Sequence, residues 1–410
     1  MIKEIYENKS RETTVDIVQT QIDSVNRKNI TRTGIRIYDG KSIGVAGTLG
    51  NYDADELEKK AVKALELNIP YACDVSSKHA EKSEIKLSGM KEDNLIAETE
   101  CILEHLRKEF PDFIFSHKVT ISQEETSLKN DRNLDLFHTA SIMKIVLLFK
   151  EKTSSNIFDG YWGVGTKSYD RNQVFKCIDE VCEGYRKKAD LPADGILPVV
   201  FSSASDVLFN KFIQDLHGWK IGTKSSLFTG KIGKKAFNEK FSLIQSYHPN
   251  DHFGPFFDDE GVVNKDYKVD LIRNGTITAA YTDKKTAQKY GLPLTGSAGA
   301  SYDGVPAPEV KNLIIPESDK TAKELLNGRK AVYVYMPSGG DYTSVGDFAS
   351  PVQLAFLFDG EKIIGRLPPL NISSNIFDMF GKGYIGVSKN LITPLSNEHY
   401  LVMEMKVAKG

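Results

Sequence analysis

A chain of 410 residues exceeds what one ordinary hydrophobic core organises, so two large domains or three small ones are expected at about 150 residues each. Hydrophobic residues make up 40% and charged residues 26%, the balance of a soluble globular protein. The 53 Lys and Arg against 55 Asp and Glu leave a net charge of -2, with no cationic excess to neutralise a phosphate backbone, so nucleic acid is not an expected ligand.

The amino terminus, MIKEIYENKSRETT, is charged from its third residue and lacks the apolar stretch of a secretory signal. Apolar runs such as IVLLF at 145–149 fall far short of the roughly 20 residues that span a bilayer, so no membrane association is expected. Cys73, Cys101, Cys177 and Cys182 show no CxxC spacing, which fits a reducing compartment; a cytoplasmic protein is expected. On one helix Cys177 and Cys182 point about 140° apart and cannot jointly grip a metal.

The first 50 residues or so read as strands: TVDIVQTQID alternates, TGIRIYDG and KSIGVAGT follow, and Asp39-Gly40 supplies a hairpin turn. Asp53 with Glu56 opens a helix carrying Leu57, Ala61, Ala64 and Leu65 on one face, and Pro70 ends the pattern. A second helix is expected over 92–109, with Leu95, Thr99, Ile102, Leu103 and Leu106 inward. The period then drops to two over 113–151, a long antiparallel meander turning at KNDRN, which holds His117 and His138 on either side of the turn. The two could face each other, although no carboxylate or thiol stands at a fixed spacing to complete a metal site. A third helix spans 171–187, with Val174, Cys177, Ile178, Val181 and Tyr185 inward.

RKKADLPADGILP is rich in charge, Pro and Gly, and 189–198 is expected to link an N-terminal domain (1–188) to a C-terminal one (199–410). Helical spacing returns at 203–217, where Phe209, Phe212, Ile213 and Leu216 form one stripe and Asn210, Lys211, Gln214 and Asp215 the opposite face, with Gly218 closing the helix. Apart from short helices near 283–290 and 318–327, the remainder is short strands around Asn274-Gly275, Gly339-Gly340 and Asp359-Gly360. The fold class is α+β: an N-terminal domain with an antiparallel sheet and flanking helices, and a C-terminal β-rich barrel or sandwich.

Chemistry-bearing motifs are sparse. Neither a nucleophile elbow nor a P-loop is present, and GYWGVG at 160–165 precedes no immediate helix. KIGKK at 231–235 reads as a solvated turn. His248 and His252 have i, i+4 spacing, but Pro249 and Gly254 make the segment a loop without an adjacent Glu to act as base. Asp258, Asp259 and Glu260 crowd three carboxylates before Gly261, which serves either a cation or acid/base site or a turn into the next strand. On the helix at 203–217 only Asp215 and His217 are metal-ligand types, and they point about 200° apart.

RIYDGKSIGVAGT, DADELEKKAVKALELN, the helix before Gly218, SSLFTGKIGKK, PFFDDEGV, LIRNGTITAAYTDKKTAQKYGLPLTGSAG and VMEMKV, in that order, resemble the TldD/PmbA family, once called modulators of DNA gyrase. The likeness runs over nearly the whole chain and is most specific over 225–299. In that family the TldD kind is a zinc metalloprotease with HExxxH on a helix and a cysteine ligand from its C-terminal domain. The PmbA or TldE kind lacks these ligands, and the two pair as a heterodimer that processes or degrades unfolded peptides. Counted without gaps, the motif positions fall on Phe209, Asn210 and Gln214, and no cysteine follows Cys182.

The resemblance therefore implies a PmbA-like subunit with no catalytic residue and no metal of its own, zinc residing in a TldD-like partner. It leaves open whether the chain forms a homodimer when the partner is absent. Peptide contact is expected at Ser225, Phe228, Phe256, Asp258, Asp259, Glu260, Thr295 and Gly296. Two other readings remain: a self-contained metal-dependent hydrolase using His248, His252 and the carboxylates at 258–260, and a homodimeric peptide-binding or regulatory protein.

Overall fold

The computed structural model describes residues 1–192 and 195–410. Its N-terminal sheet is built from two long hairpins, β1 (Ile2–Val18) with β2 (Gln21–Tyr38), and β5 (Phe113–Asn130) with β6 (Leu134–Glu151). β3 (Ile43–Leu49) extends the sheet beside β2, while β4 (His79–Ile85), parallel to β6, and β7 (Gly160–Thr166) cover successive halves of the far edge.

The first hairpin turn lies inside the stretch expected to run on as one strand. Gln19 and Thr20 both take positive φ (50° and 62°), the backbone of a tight hairpin turn that Gly or Asn adopts more readily. Thr20 is held there by its neighbours: its N–H donates to the Phe115 carbonyl (2.7 Å), its hydroxyl accepts from the Phe115 N–H (2.9 Å), and Arg107 donates to its carbonyl (2.8 Å). Tertiary contacts thus offset a turn composition that is locally unfavourable.

Helices α1 (Ala54–Lys63), α2 (Leu95–Glu109) and α3 (Arg171–Arg186) follow the expected patterns. Asp53 caps α1 by accepting from the Glu56 N–H (2.9 Å), and Asp170 caps α3 from Gln173. α2 buries Leu95, Thr99, Ile102, Leu103 and Leu106, each aliphatic side chain contributing about 1.5–3 kcal/mol over exposure. His117 and His138 do not meet: His117 pairs with Leu147 and His138 with Thr126, so the register sets them apart.

Of the expected linker, residues 193 and 194 lie outside the described residues, and from Gly195 the chain is already strand β8 (Gly195–Ser202), paired to 400–407. β8 belongs to an eight-stranded C-terminal sheet in which Ala331–Pro337, β8, His399–Lys409, Leu370–Asn375 and Asp347–Phe358 lie side by side. Asp347–Phe358 also pairs with Ala331–Pro337, so these five strands close into a barrel-like ring. The class is α+β, with antiparallel sheets and this barrel-like C-terminal arrangement. One continuous apolar core joins α2, α3 and the first sheet to Val200, Tyr333, Phe356 and Val402 of the second. Among the described residues no helix is long and apolar enough to cross a membrane.

Candidate functional site

The helix on which metal chemistry would sit is α4 (Asp206–Asp215), followed by the short α5 (Gly218–Gly222). α4 buries Leu208, Phe209 and Phe212 in an aromatic cluster with Phe228, Phe237, Phe241 and Phe380. Gly218 does not cap the helix. It is a point of close approach, where a Cβ would come within 2.6 Å of Thr282 Cγ2.

The expectation that Lys211 and Asp215 share a solvated face with Asn210 and Gln214 is overturned. Lys211 and Asp215 are 5% and 4% exposed and form an ion pair at 2.9 Å, while Asn210 and Gln214 remain exposed. The physical reason is a second neighbour on that side, the turn at 226–228. Asp215 Oδ1 accepts from the Leu227 N–H (2.7 Å), and Ser226 Oγ donates to the Asp215 carbonyl (2.6 Å). His217 caps α5 by accepting from the Trp219 N–H (3.2 Å), and its ring lies tilted against Tyr281 with centroids 5.0 Å apart.

The acidic stretch at 258–260 sits between the first sheet, the segment at 71–76 and the chain at 284–311. Tyr71 donates to Glu260 Oε1 (2.8 Å) and the Lys284 N–H to Oε2 (2.8 Å), while Lys284 Nζ and Ser76 Oγ both donate to the Glu260 carbonyl. Asp259 accepts from Lys311 Nζ (3.0 Å) and the Ala300 N–H (2.8 Å), and its carbonyl accepts from the wholly buried Arg36, which also pairs with Glu4.

Asp258 is fully buried and accepts from the N–H groups of Glu260, Val262 and Ala298. Those donors favour its anion, but burial and the neighbouring Glu260 charge outweigh them and push its carboxyl up to about 8. Burial likewise pushes Glu260 up. With every one of these carboxylates engaged by protein donors, the loop is built as a clasp that ties the first sheet and the segment at 71–76 to the chain at 284–311.

Residues 194–409 match the PmbA/TldA metallopeptidase C-terminal domain, and residues 4–67 match PmbA/TldA metallopeptidase domain 1. The chain belongs to this PmbA/TldA family. A zinc metalloprotease TldD homolog from Saccharolobus solfataricus is 26% identical over 265 residues, covering 62% of this chain and 59% of that protein. TldE from Thermococcus kodakarensis shares the fold with a TM-score of 0.81 at 20% identity, covering 100% of this chain and 97% of that chain. A Thermotoga maritima protein named for modulation of DNA gyrase does so at 0.79 and 18% identity, covering 99% and 96%.

A metallopeptidase family implies zinc, and the residues here do not fit it. On α4 the positions that the resemblance assigns to the motif hold Phe209, a carbon side chain facing the core, and the exposed amides Asn210 and Gln214. Among the described residues no group of three or more His, Cys, Asp and Glu is placed to hold a metal ion. His248 and His252 each turn Nδ1 to their own loop, accepting from the N–H groups of Asn250 and Gly254.

The expected peptide-contact residues separate into two groups. Ser225 is exposed. Phe228 and Phe256 are wholly buried, Phe256 packing with Phe257 on Leu128, Leu134 and Leu136, and Thr295 is buried in hydrogen bonds with Thr282 and Ser297. At Gly296 a Cβ would meet Val262 Cγ1 at 2.8 Å, so the loop at 293–297 is pressed onto the clasp. Beside the clasp opens a cavity of about 680 Å³, walled by Cys73, Ser76, Gly261, Lys284, Gln288 and Leu294. Arg36, Tyr71 and Lys284 were not singled out in the sequence. For Arg36 a signal existed, because it shares its strand face with Gly34 and Tyr38 and is flanked by Ile35 and Ile37, a setting that buries a charge.

Proposed function

We propose that this chain is the subunit without its own zinc site in a TldD/TldE-type metallopeptidase that processes or degrades unfolded peptides in the cytoplasm. The observation that carries the reading is α4: its motif positions present a core phenylalanine and two amides, and its buried polar atoms are consumed by the Lys211–Asp215 pair and the 226–228 turn. Such a helix packs and shapes a wall; it has no means of lowering the pKa of a bound water.

In this reading a TldD-like partner supplies the zinc and the catalytic residues, and the chain pairs with itself when that partner is absent. Peptide is held through main-chain hydrogen bonds along a sheet edge. Ser225 and the cavity beside Gly261 border its path, and the clasp at 258–260 with Phe228, Phe256, Thr295 and Gly296 fixes that border in place. The balanced charge gives no support for DNA as a ligand.

The test is metal analysis and peptide hydrolysis with the purified chain, alone and mixed with a TldD-like protein carrying HExxxH. Expected are no stoichiometric zinc in this chain, and cleavage only in the mixture. Zinc retained at one ion per chain through chelator dialysis, or hydrolysis by the chain alone, refutes the reading.

A further inference from the structure

A second cavity lies away from both α4 and the clasp, where β7 and α3 meet the barrel. It measures about 130 Å³, and its walls include Tyr161 from β7, Tyr333 and Tyr335 from Ala331–Pro337, Tyr400 from His399–Lys409, Glu180 from α3, and Glu398. Alternation along the strand brings Tyr333 and Tyr335 to the same face. The rings meet as adjoining walls, with centroids 5.6 Å apart for Tyr161–Tyr335 and 5.8 Å for both Tyr333–Tyr335 and Tyr333–Tyr400.

A buried phenol normally finds a hydrogen-bond partner. Tyr333 and Tyr400 are only 6% and 8% exposed, yet none of the four hydroxyls bonds to a described residue, and none is sealed in packing; they reach open space. Burial raises all four phenols, so they stay protonated.

Negative charge accompanies them. Glu398 accepts from Ser202 Oγ on Oε2 (2.5 Å), and its Oε1 has no partner among the described residues. Glu180 stands at the exposed side, and no lysine or arginine lines the space.

We propose that this cavity binds a primary ammonium or guanidinium group, through the Glu398 carboxylate and the free tyrosine hydroxyls, with the aromatic faces around it. The electrostatics select the class: carboxylates repel an anion, and aromatic faces attract a cation. A cation rich in N–H donors satisfies acceptors that a methylated ammonium leaves bare. Size selects the group, because about 150 Å³ holds a benzene-sized molecule. The cavity therefore admits a head group and excludes a nucleotide or a folded partner. The proposal concerns this chain alone and stands whether or not a zinc-bearing subunit exists.

The test is calorimetric titration of the full chain with butylamine and agmatine, with butanol as the neutral counterpart, and with a pentapeptide carrying a central arginine. Saturable binding of an amine or of the peptide, with none of butanol, is expected. Glu398→Gln should weaken it roughly tenfold to a hundredfold, and Tyr335→Phe by roughly threefold to tenfold, the range for losing a charged and a neutral hydrogen bond. Circular dichroism checks that each variant is folded; Tyr161→Phe replaces any that is not.

Peptide binding tighter than agmatine identifies a basic side chain as the source, and amine binding without peptide binding identifies a free small amine. No saturable binding of either, equal binding of butanol, or affinity unchanged in folded Glu398→Gln and Tyr335→Phe overturns the proposal.

Discussion

Replacing Lys211 by methionine tests the account of α4 directly. The side chain keeps its length and most of its apolar stem, but Asp215, 4% exposed, loses the ammonium 2.9 Å from Oδ2 and keeps only the Leu227 N–H on Oδ1. Removing one partner of a buried pair leaves an uncompensated charge, a loss of about 3–5 kcal/mol; the surviving hydrogen bond places the expected value near the lower end, about 3 kcal/mol. A second change, Asp215→Asn, removes the stranded charge while its carbonyl oxygen still accepts from Leu227, so the double variant should recover most of that loss. Urea unfolding followed by tryptophan fluorescence suits the site, because Trp219 lies in α5 immediately beyond α4. If Lys211→Met alone falls within about 0.5 kcal/mol of wild type, the level of an ordinary surface change, the pair is not buried as described and α4 is not held by it.

The clasp and the first hairpin give two further expectations. Asp258 and Glu260 keep their protons in the folded chain to higher pH than in the unfolded one, so their contribution is fully present below the unfolded carboxyl range. It is lost as pH rises through the folded value of about 8 for Asp258, at up to about 1.4 kcal/mol per pH unit. Urea midpoints at pH 5 and 7.5 should therefore converge between wild type and Asp258→Asn at the higher pH, whereas parallel curves would contradict the assignment. Gln19→Gly relieves a positive φ at an exposed position without touching the Thr20 contacts, and should stabilise the chain by about 0.5–1 kcal/mol in the same assay; a loss would mean that the Gln19 side chain has a role that its exposure conceals.

What the sequence disclosed and what it concealed divide along the range of the interactions involved. α2 and α3 were legible because helical spacing, N-terminal acids and a following stop are all local, and the faces they bury are the ones their periodicity names. The β5–β6 hairpin was legible for the same reason, its turn lying at a polar cluster. The β1–β2 turn was not, because Gln19 and Thr20 owe their backbone to Phe115 and Arg107, far along the chain.

The site follows the same rule. A helical wheel shows one apolar stripe on α4, yet Lys211 and Asp215 are buried because the turn at 226–228 covers a second side. Asp258, Asp259 and Glu260 look in sequence like a cluster awaiting a cation or a substrate. Their partners are Arg36, Tyr71, Lys284 and Lys311, drawn from distant parts of the chain, and only the fold brings them there. A run of carboxylates is chemically available only where its oxygens are not already bonded, and here the protein has bonded them. The tyrosine-lined cavity is the converse case: Tyr161, Tyr333, Tyr335 and Tyr400 sit in ordinary strand patterns, and become chemically available because the meeting of β7 and α3 with the barrel leaves their hydroxyls unpaired beside open space.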